Sequence, residues 1–224
     1  MLPDPVNKSL KIICFGYREW SHNIYKYLSE DIDLISHSFI IANDSKLVNE
    51  EFIKSISPDL ILFYGWSQII NPEILDNYFC LMLHPSSLPK YRGGSPIQNQ
   101  IIEGLIETEV CIFKMEAEID SGAIVARAPL TLEGEIKDIF LRLEKIGFKL
   151  TKYILLNGFY LTPQIGEPIY RKSFYSANAD ETIFSRSYQD EEGLTNQDIL
   201  SLRDLGGEIH VDGQDVKLYS AGIF

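Results

Sequence analysis

The chain has 224 residues, 45% of them hydrophobic, and 32 acidic against 20 basic side chains leave a formal net charge of −12 and a pI near 4.8. That balance opposes the counterion release that drives nucleic-acid binding, so RNA and DNA are not the expected partners, and one substantial core is the default. Three cysteines without CxxC spacing, no run near the ~18 apolar residues of a membrane span, and no basic leader make a disulfide framework, a metal site and a membrane anchor unexpected, leaving a soluble cytoplasmic protein.

In chain order, Leu10 to Phe15 reads as a buried strand ended by Gly16, after which Trp20, Ile24, Tyr27 and Leu28 recur at helical spacing. Ile35 to Ala42 reads as a second strand and Val48 to Ile56 as a second helix, stopped by Ser57-Pro58. Leu60 to Tyr64 is a third strand, closed by Gly65. Phe79 to His84 is the next strand, Pro96 to Glu103 a helix, and Glu109 to Met115 a strand leading into a loop at Asp120. Ile124 to Leu132 is another strand. The spacing of Ile136, Ile139, Phe140, Leu143, Ile146, Leu150 and Tyr153 predicts a long amphipathic helix ending at Asn157-Gly158. Strands alternating with helices imply an α/β fold with a mostly parallel sheet.

Beyond residue 160 the composition shifts toward Pro, Ser, Asn and Asp, which reads as an irregular segment over 161–192. Thr195 and Asp198 suggest a helix start before Ile199, Leu202 and Leu205. Around Asp212-Gly213, Ile209 and Val211 are mirrored by Val216 and Leu218, a hairpin pattern. The expected division is a catalytic domain over 1–160, the wrapping segment, and a small helix and β-hairpin over 193–224.

Two segments carry chemistry. Cys80-Leu-Met-Leu-His84 is an apolar run that ends in an imidazole at the carboxyl end of a strand, where open α/β sheets bind ligands. It is followed by Pro85-Ser-Ser-Leu-Pro89-Lys-Tyr-Arg-Gly-Gly-Ser-Pro-Ile-Gln98, and thirty-six residues after His84 comes Ile119-Asp120-Ser121-Gly122. Taken singly, His84 reads as a satisfied core histidine, Asp120 as a turn residue and Met82 as core packing. The pair together reads as a catalytic site.

These segments resemble the folate-dependent formyltransferases, whose core is shared by the methionyl-tRNA and glycinamide ribonucleotide enzymes, and most closely the sugar N-formyltransferases acting on nucleotide-linked amino sugars. The resemblance covers about residues 10 to 175 and implies a Rossmann-like formyltransferase core. It implies 10-formyltetrahydrofolate as co-substrate and direct attack of an amine on its formyl carbon. Such an attack builds an oxyanion and a protonated nitrogen, so His84 would move the proton and Asp120 would orient the ring. The family has Asn two residues before the histidine; here Met82 stands there and cannot donate that hydrogen bond. The Ser86-Ser87 amides, Gln68, Gln98 or a water are the candidate replacements.

The resemblance further implies a folate site from Gly65, Trp66, Ser67, Gln68, Ile69 and Ile70, closed by Ser87, Leu88 and Pro89, with main-chain groups of Glu116, Ala117 and Glu118 on the pterin edge. Trp66 and Ile69 read equally as a staple into the core. Arg92, Gly93, Gly94 and Ser95 are the substrate candidates, as a backbone nest for a phosphate with Arg92 as a clamp, or else as a solvated turn. Phe15-Gly16-Tyr17-Arg18 has a single glycine and so matches neither a dinucleotide loop nor a ribonucleotide-phosphate site. The expected partner is a small nucleotide-linked amino sugar, with a homodimer open to the chain. Alternatives are a carrier-bound aminoacyl group, methionyl-tRNA, or a folate- and sugar-binding homologue impaired by Met82.

Overall fold

A computed structural model describes residues 9–172, together with the backbone of 208–211 and 214–217. The chain divides into two compact units, one from the described parts of Met1–His84, Val110–Ala128 and Leu143–Gly166, the other from those of Pro85–Glu109, Pro129–Arg142 and Glu167–Phe224. The main sheet has six strands in the order β2-β1-β3-β4-β6-β7, where β1 is Lys11–Phe15, β2 Ser38–Ala42, β3 Leu60–Tyr64, β4 Cys80–His84, β6 Glu107–Lys114 and β7 Ile124–Thr131. Strands β1, β2, β3 and β4 pair in parallel, and β4 pairs β6 antiparallel. The mostly parallel α/β fold expected from the alternation is what forms.

The central strands are continuous apolar runs because both their faces are covered. All five residues of β3 are buried, whereas the edge strand β2 buries only Ala42. Helix α1, Glu19–Glu30, buries Trp20, Ile24, Tyr25 and Leu28. The sequence placed Tyr27 on that face; it is instead 43% exposed, and Tyr25 takes the buried place. The reason is polar. The Tyr25 hydroxyl donates to the Phe15 carbonyl at 2.8 Å and accepts from the Tyr64 amide at 2.8 Å, joining the carboxyl ends of β1 and β3. Its ring also stacks on Tyr64, at 5.4 Å between centroids.

Boundaries shift where polar caps decide them. Helix α2, Glu50–Ile56, starts after Asn49, whose side chain accepts from the Phe52 amide at 2.9 Å, and ends at Ser57 in the left-handed region before Pro58. The second strand begins at Ser38 rather than Ile35, which is 77% exposed beyond a single 3-10 turn. Helix α3, Pro72–Asn77, is an element the sequence reading did not include, although Asn71 caps it and Pro72 opens it. Helix α5, Ile136–Asn157, closes at Gly158 as the pattern predicts. Leu83 and α5 meet closely: a β-carbon added to Gly147 would lie 2.8 Å from Leu83 Cδ1.

In the second unit, β5 (Arg92–Gly93) precedes helix α4 (Pro96–Ile102) and pairs with β8 (Tyr170–Arg171) in parallel. Both strands lie outside what the sequence pattern signalled. The hairpin is present in its strands: β9, Glu208–Val211, and β10, Gln214–Lys217, pair antiparallel with Ile209 opposite Val216. The Asp212-Gly213 turn and the helix expected over 198–205 lie outside the described residues. Among the described residues no helix is long and apolar enough to cross a membrane, and no group of three or more acidic, His or Cys side chains is arranged to hold a metal ion.

The Tyr25 hydroxyl gives the first testable consequence. Tyr25→Phe keeps the ring but leaves the buried Tyr64 amide without that partner, so urea unfolding should register a loss of about 1–3 kcal/mol. An unchanged transition midpoint would contradict the role assigned to the hydroxyl.

Candidate active site

Strand β4 sorts its side chains by face. Cys80, Met82 and His84 share one face and Leu81 and Leu83 the other, because successive strand residues alternate. Register places Met82 between Phe63 on β3 and Phe113 on β6, and His84 beside Cys111. Burial pushes the Cys80 thiol up to about 12, so that sulfur is no nucleophile at neutral pH. His84 is the last residue of the strand and is 5% exposed.

Asp120 arrives from the loop between β6 and β7. Its carboxylate Oδ2 lies 3.6 Å from His84 Nδ1, with the two side chains 10% and 6% exposed. That separation is too long for a strong hydrogen bond and short enough for an ion pair once the imidazole is protonated. The sequence pair is therefore brought together. Asp120 adopts a left-handed backbone at φ 50, while Lys114 N donates to Ala123 O at 2.9 Å and Met115 N to Cys80 O at 2.9 Å. Ser121 N and its hydroxyl both donate to the Glu118 carbonyl. Glycine is obligatory at the next position, since a β-carbon on Gly122 would sit 1.7 Å from the Lys114 carbonyl oxygen.

The Gly65–Ile70 run follows β3 in the same unit as His84 and Asp120. Trp66 is buried against Phe15, Phe63 and Tyr17, with centroids 6.2, 5.7 and 5.4 Å away. Ser67 shares a hydrogen bond with the Tyr17 hydroxyl, Gln68 is exposed, Ile69 is 88% exposed and Ile70 is buried. The core-staple alternative therefore holds for Trp66 and fails for Ile69. Trp66 Nε1 is buried with no hydrogen-bond partner among the described residues. Glu116, Ala117 and Glu118 are exposed on the loop before Asp120.

Ser87, Leu88, Pro89, Arg92, Gly93, Gly94 and Ser95 belong to the second unit. The phosphate nest expected from this run is corrected by strand pairing. The Arg92 amide donates to Ile169 O at 2.8 Å and the Gly94 amide to Arg171 O at 3.0 Å, so both are already used. The solvated-turn alternative fails too, because Arg92 is 7% exposed and donates to the Tyr170 hydroxyl at 2.8 Å. Gln98 is buried in this unit, and the Ser86 hydroxyl donates to the Lys90 carbonyl at 2.7 Å.

A cluster the sequence did not signal secures the same run. The Tyr91 hydroxyl donates to Glu103 Oε2 at 2.7 Å, Arg171 Nε donates to Glu103 Oε1 at 2.6 Å, and the Arg171 guanidinium lies 5.4 Å from the centre of the Tyr91 ring. Burial, with the Glu103 carboxylate beside it, pushes the Tyr91 phenol up to about 12. No local pattern links residues 91, 103 and 171.

Residues 33–138 match the family model described as formyl transferase. Every candidate residue named above, from Gly65 to Asp120, falls inside that span. The methionyl-tRNA formyltransferase of Campylobacter lari is 39% identical over 122 residues, covering 54% of this chain and 40% of that protein. The chain thus matches about two fifths of that curated relative's length. Among solved structures, methionyl-tRNA formyltransferase from Clostridium thermocellum matches with a TM-score of 0.70 and 27% identity over 80% of each chain. The formyltransferase PseJ from Anoxybacillus kamchatkensis, solved with a UDP-linked formamido sugar and tetrahydrofolate, shares the fold with a TM-score of 0.64 at 21% identity, covering 84% of this chain and 97% of that one.

The Tyr91 cluster generates an alkaline prediction. With the folded-state value raised from the ordinary 10 to about 12, the native state keeps a proton that the unfolded chain releases; that stabilisation is complete below pH 10 and lost as pH rises toward 12. Chemical denaturation across this window should show a steeper loss for the wild type than for Tyr91→Phe. Parallel curves would remove Tyr91 as the source.

Proposed function

We propose that the protein transfers the formyl group of 10-formyltetrahydrofolate to the amine of a nucleotide-linked amino sugar, with a catalytic domain over residues 1–160 that includes the 33–138 span matching the formyl transferase model. The observation that carries the chemistry is the His84–Asp120 pair inside that span, with His84 buried and the two side chains facing each other at 3.6 Å. An imidazole at the carboxyl end of a central strand, beside a carboxylate, is equipped to take a proton from the attacking amine as the new C–N bond forms and to return one to the folate nitrogen as the formyl C–N bond breaks. Asp120 orients the ring and stabilises its charged form.

The residues present fit a folate. Trp66 offers a buried indole N–H with no partner among the described residues, and the exposed 116–118 main chain runs up to Asp120. Gly65, Ser67, Gln68, Ile69 and Ile70 would complete that site within the same unit. The bound co-substrate supplies an activated one-carbon acyl group; this chain supplies its placement and the proton handling. Met82, between two phenylalanines, contributes no donor, so the developing oxyanion must be met by main-chain amides, Gln68, Gln98 or water.

For the acceptor, the net charge of −12 favours a small anionic metabolite over tRNA, because an acidic surface repels a polyanion at long range. Arg92 is the substrate candidate best placed to carry charge, through its buried guanidinium against Tyr170. A second reading, methionyl-tRNA as acceptor, is favoured by the names of the relatives at 38–39% identity.

Differential scanning fluorimetry with tetrahydrofolate tests the co-substrate: at about 100 times Kd a native-state ligand adds about 2.7 kcal/mol, so Tm should rise by several degrees. No shift at millimolar folate would remove the assignment. With 10-formyltetrahydrofolate, a UDP-linked 4-amino sugar and charged initiator tRNA are then offered in parallel. The sugar should gain a formyl group; formylation of the tRNA alone would favour the second reading. His84→Ala and Asp120→Ala should each lower kcat by at least ~10², and the double variant should lose far less than the product.

Met82 sets a separate expectation. Met82→Asn restores an amide donor two residues before His84; a rise in kcat would identify the wild type as lacking an oxyanion donor, and an unchanged kcat would mean that another group already fills the role.

A further inference from the structure

A side chain from a distant part of the sequence holds the turn that carries Asp120. Gln164 Nε2 donates to the carbonyl of Asp120 at 2.8 Å and to that of Gly122 at 2.8 Å. Two acceptors around one terminal atom fix the amide's orientation, because only its NH2 end has two hydrogens to give. The segment is anchored two residues earlier, where Thr162 and Ile124 exchange both main-chain hydrogen bonds, at 2.8 and 2.9 Å. All of these residues lie in one compact unit.

The turn needs such support. Asp120 is a non-glycine residue at φ 50, a conformation its β-carbon disfavours and one that persists only where surroundings over-determine it. The turn's amides are served locally, by the Glu118 carbonyl on Ser121, but its outward carbonyls at 120 and 122 are met from Gln164. We infer that Gln164 is a positioning residue for the Asp120 carboxylate: its amide, bridging the carbonyls on either side of Ser121, locks the left-handed turn from which Asp120 faces His84. The inference rests on the proposed role of the His84–Asp120 pair. It adds a residue outside the 33–138 span of the family match to the machinery of that pair.

The test uses Gln164→Met, which keeps the length and removes both donors, and Gln164→Glu, which keeps the shape and turns a carboxylate toward two carbonyls. Formyl transfer from 10-formyltetrahydrofolate is measured with the UDP-linked 4-amino sugar and with charged initiator tRNA, for each variant alone and combined with Asp120→Ala. A misplaced carboxylate should cost about tenfold or more in kcat. In the Asp120→Ala background the same substitution should change kcat less than about twofold, since residues acting through one group are non-additive. An equal loss in both backgrounds would mark a merely structural glutamine and overturn the inference, as would an unchanged kcat in the single variants. Wild-type turnover in Asp120→Ala would instead strike the proposed function itself. Hydrogen exchange on the unliganded protein supplies a reading independent of any acceptor: amides of 116–123 should lose protection in Gln164→Met while those of β1 and α5 keep theirs, and unchanged protection at 116–123 would also overturn the inference.

Discussion

Asp120 Oδ2 and His84 Nδ1 face each other across 3.6 Å, and no more than a tenth of either side chain reaches solvent. Holding a carboxylate there against its tendency to hydrate requires a rigid frame, because in so low a dielectric a small displacement changes the interaction steeply. The frame has two halves. One is β4, a strand buried on both faces, which fixes where the imidazole emerges. The other is the 115–123 loop, whose geometry is over-determined by Gly122 against the Lys114 carbonyl and by the Gln164 amide on the carbonyls around Ser121. The sheet, the hairpin-like β6–β7 pairing and the returning 162–164 segment all serve that single approach.

Much of this was legible in sequence because the relevant signals are local. An unbroken apolar run ending in His84, the Asp-Ser-Gly turn, and the 3.6-residue spacing along α5 each lie within one segment. What was not legible depends on contacts between segments distant in sequence. Tyr25 displaces Tyr27 from the core because its hydroxyl finds Phe15 and Tyr64, which no periodicity encodes. Arg92 looked like a solvated or phosphate-binding residue until Tyr170 and Arg171 paired with its strand. Gln164 carries no motif at all; only the fold brings it to the Asp120 turn.

Met82, inside the 33–138 span that matches the formyl transferase model, is the place where the chain departs from the pattern of the formyltransferases it resembles. Its register position, beside Phe63 on one neighbouring strand and Phe113 on the other, suits a flexible apolar side chain. Under the proposed function, an oxyanion donor at this place would have to come from another group, and a main-chain N–H is one that needs no side chain to be aimed.

Transfer of the formyl group to an amine without a covalent protein intermediate, as proposed, is tested most directly by 13C NMR on the purified protein with 10-formyltetrahydrofolate labelled at the formyl carbon and the amino sugar present. The folate-bound formyl resonance should decay as a new formamide resonance grows on the sugar, with no label retained by the protein. Release of the label as formate, or its capture on the protein, would contradict that proposal.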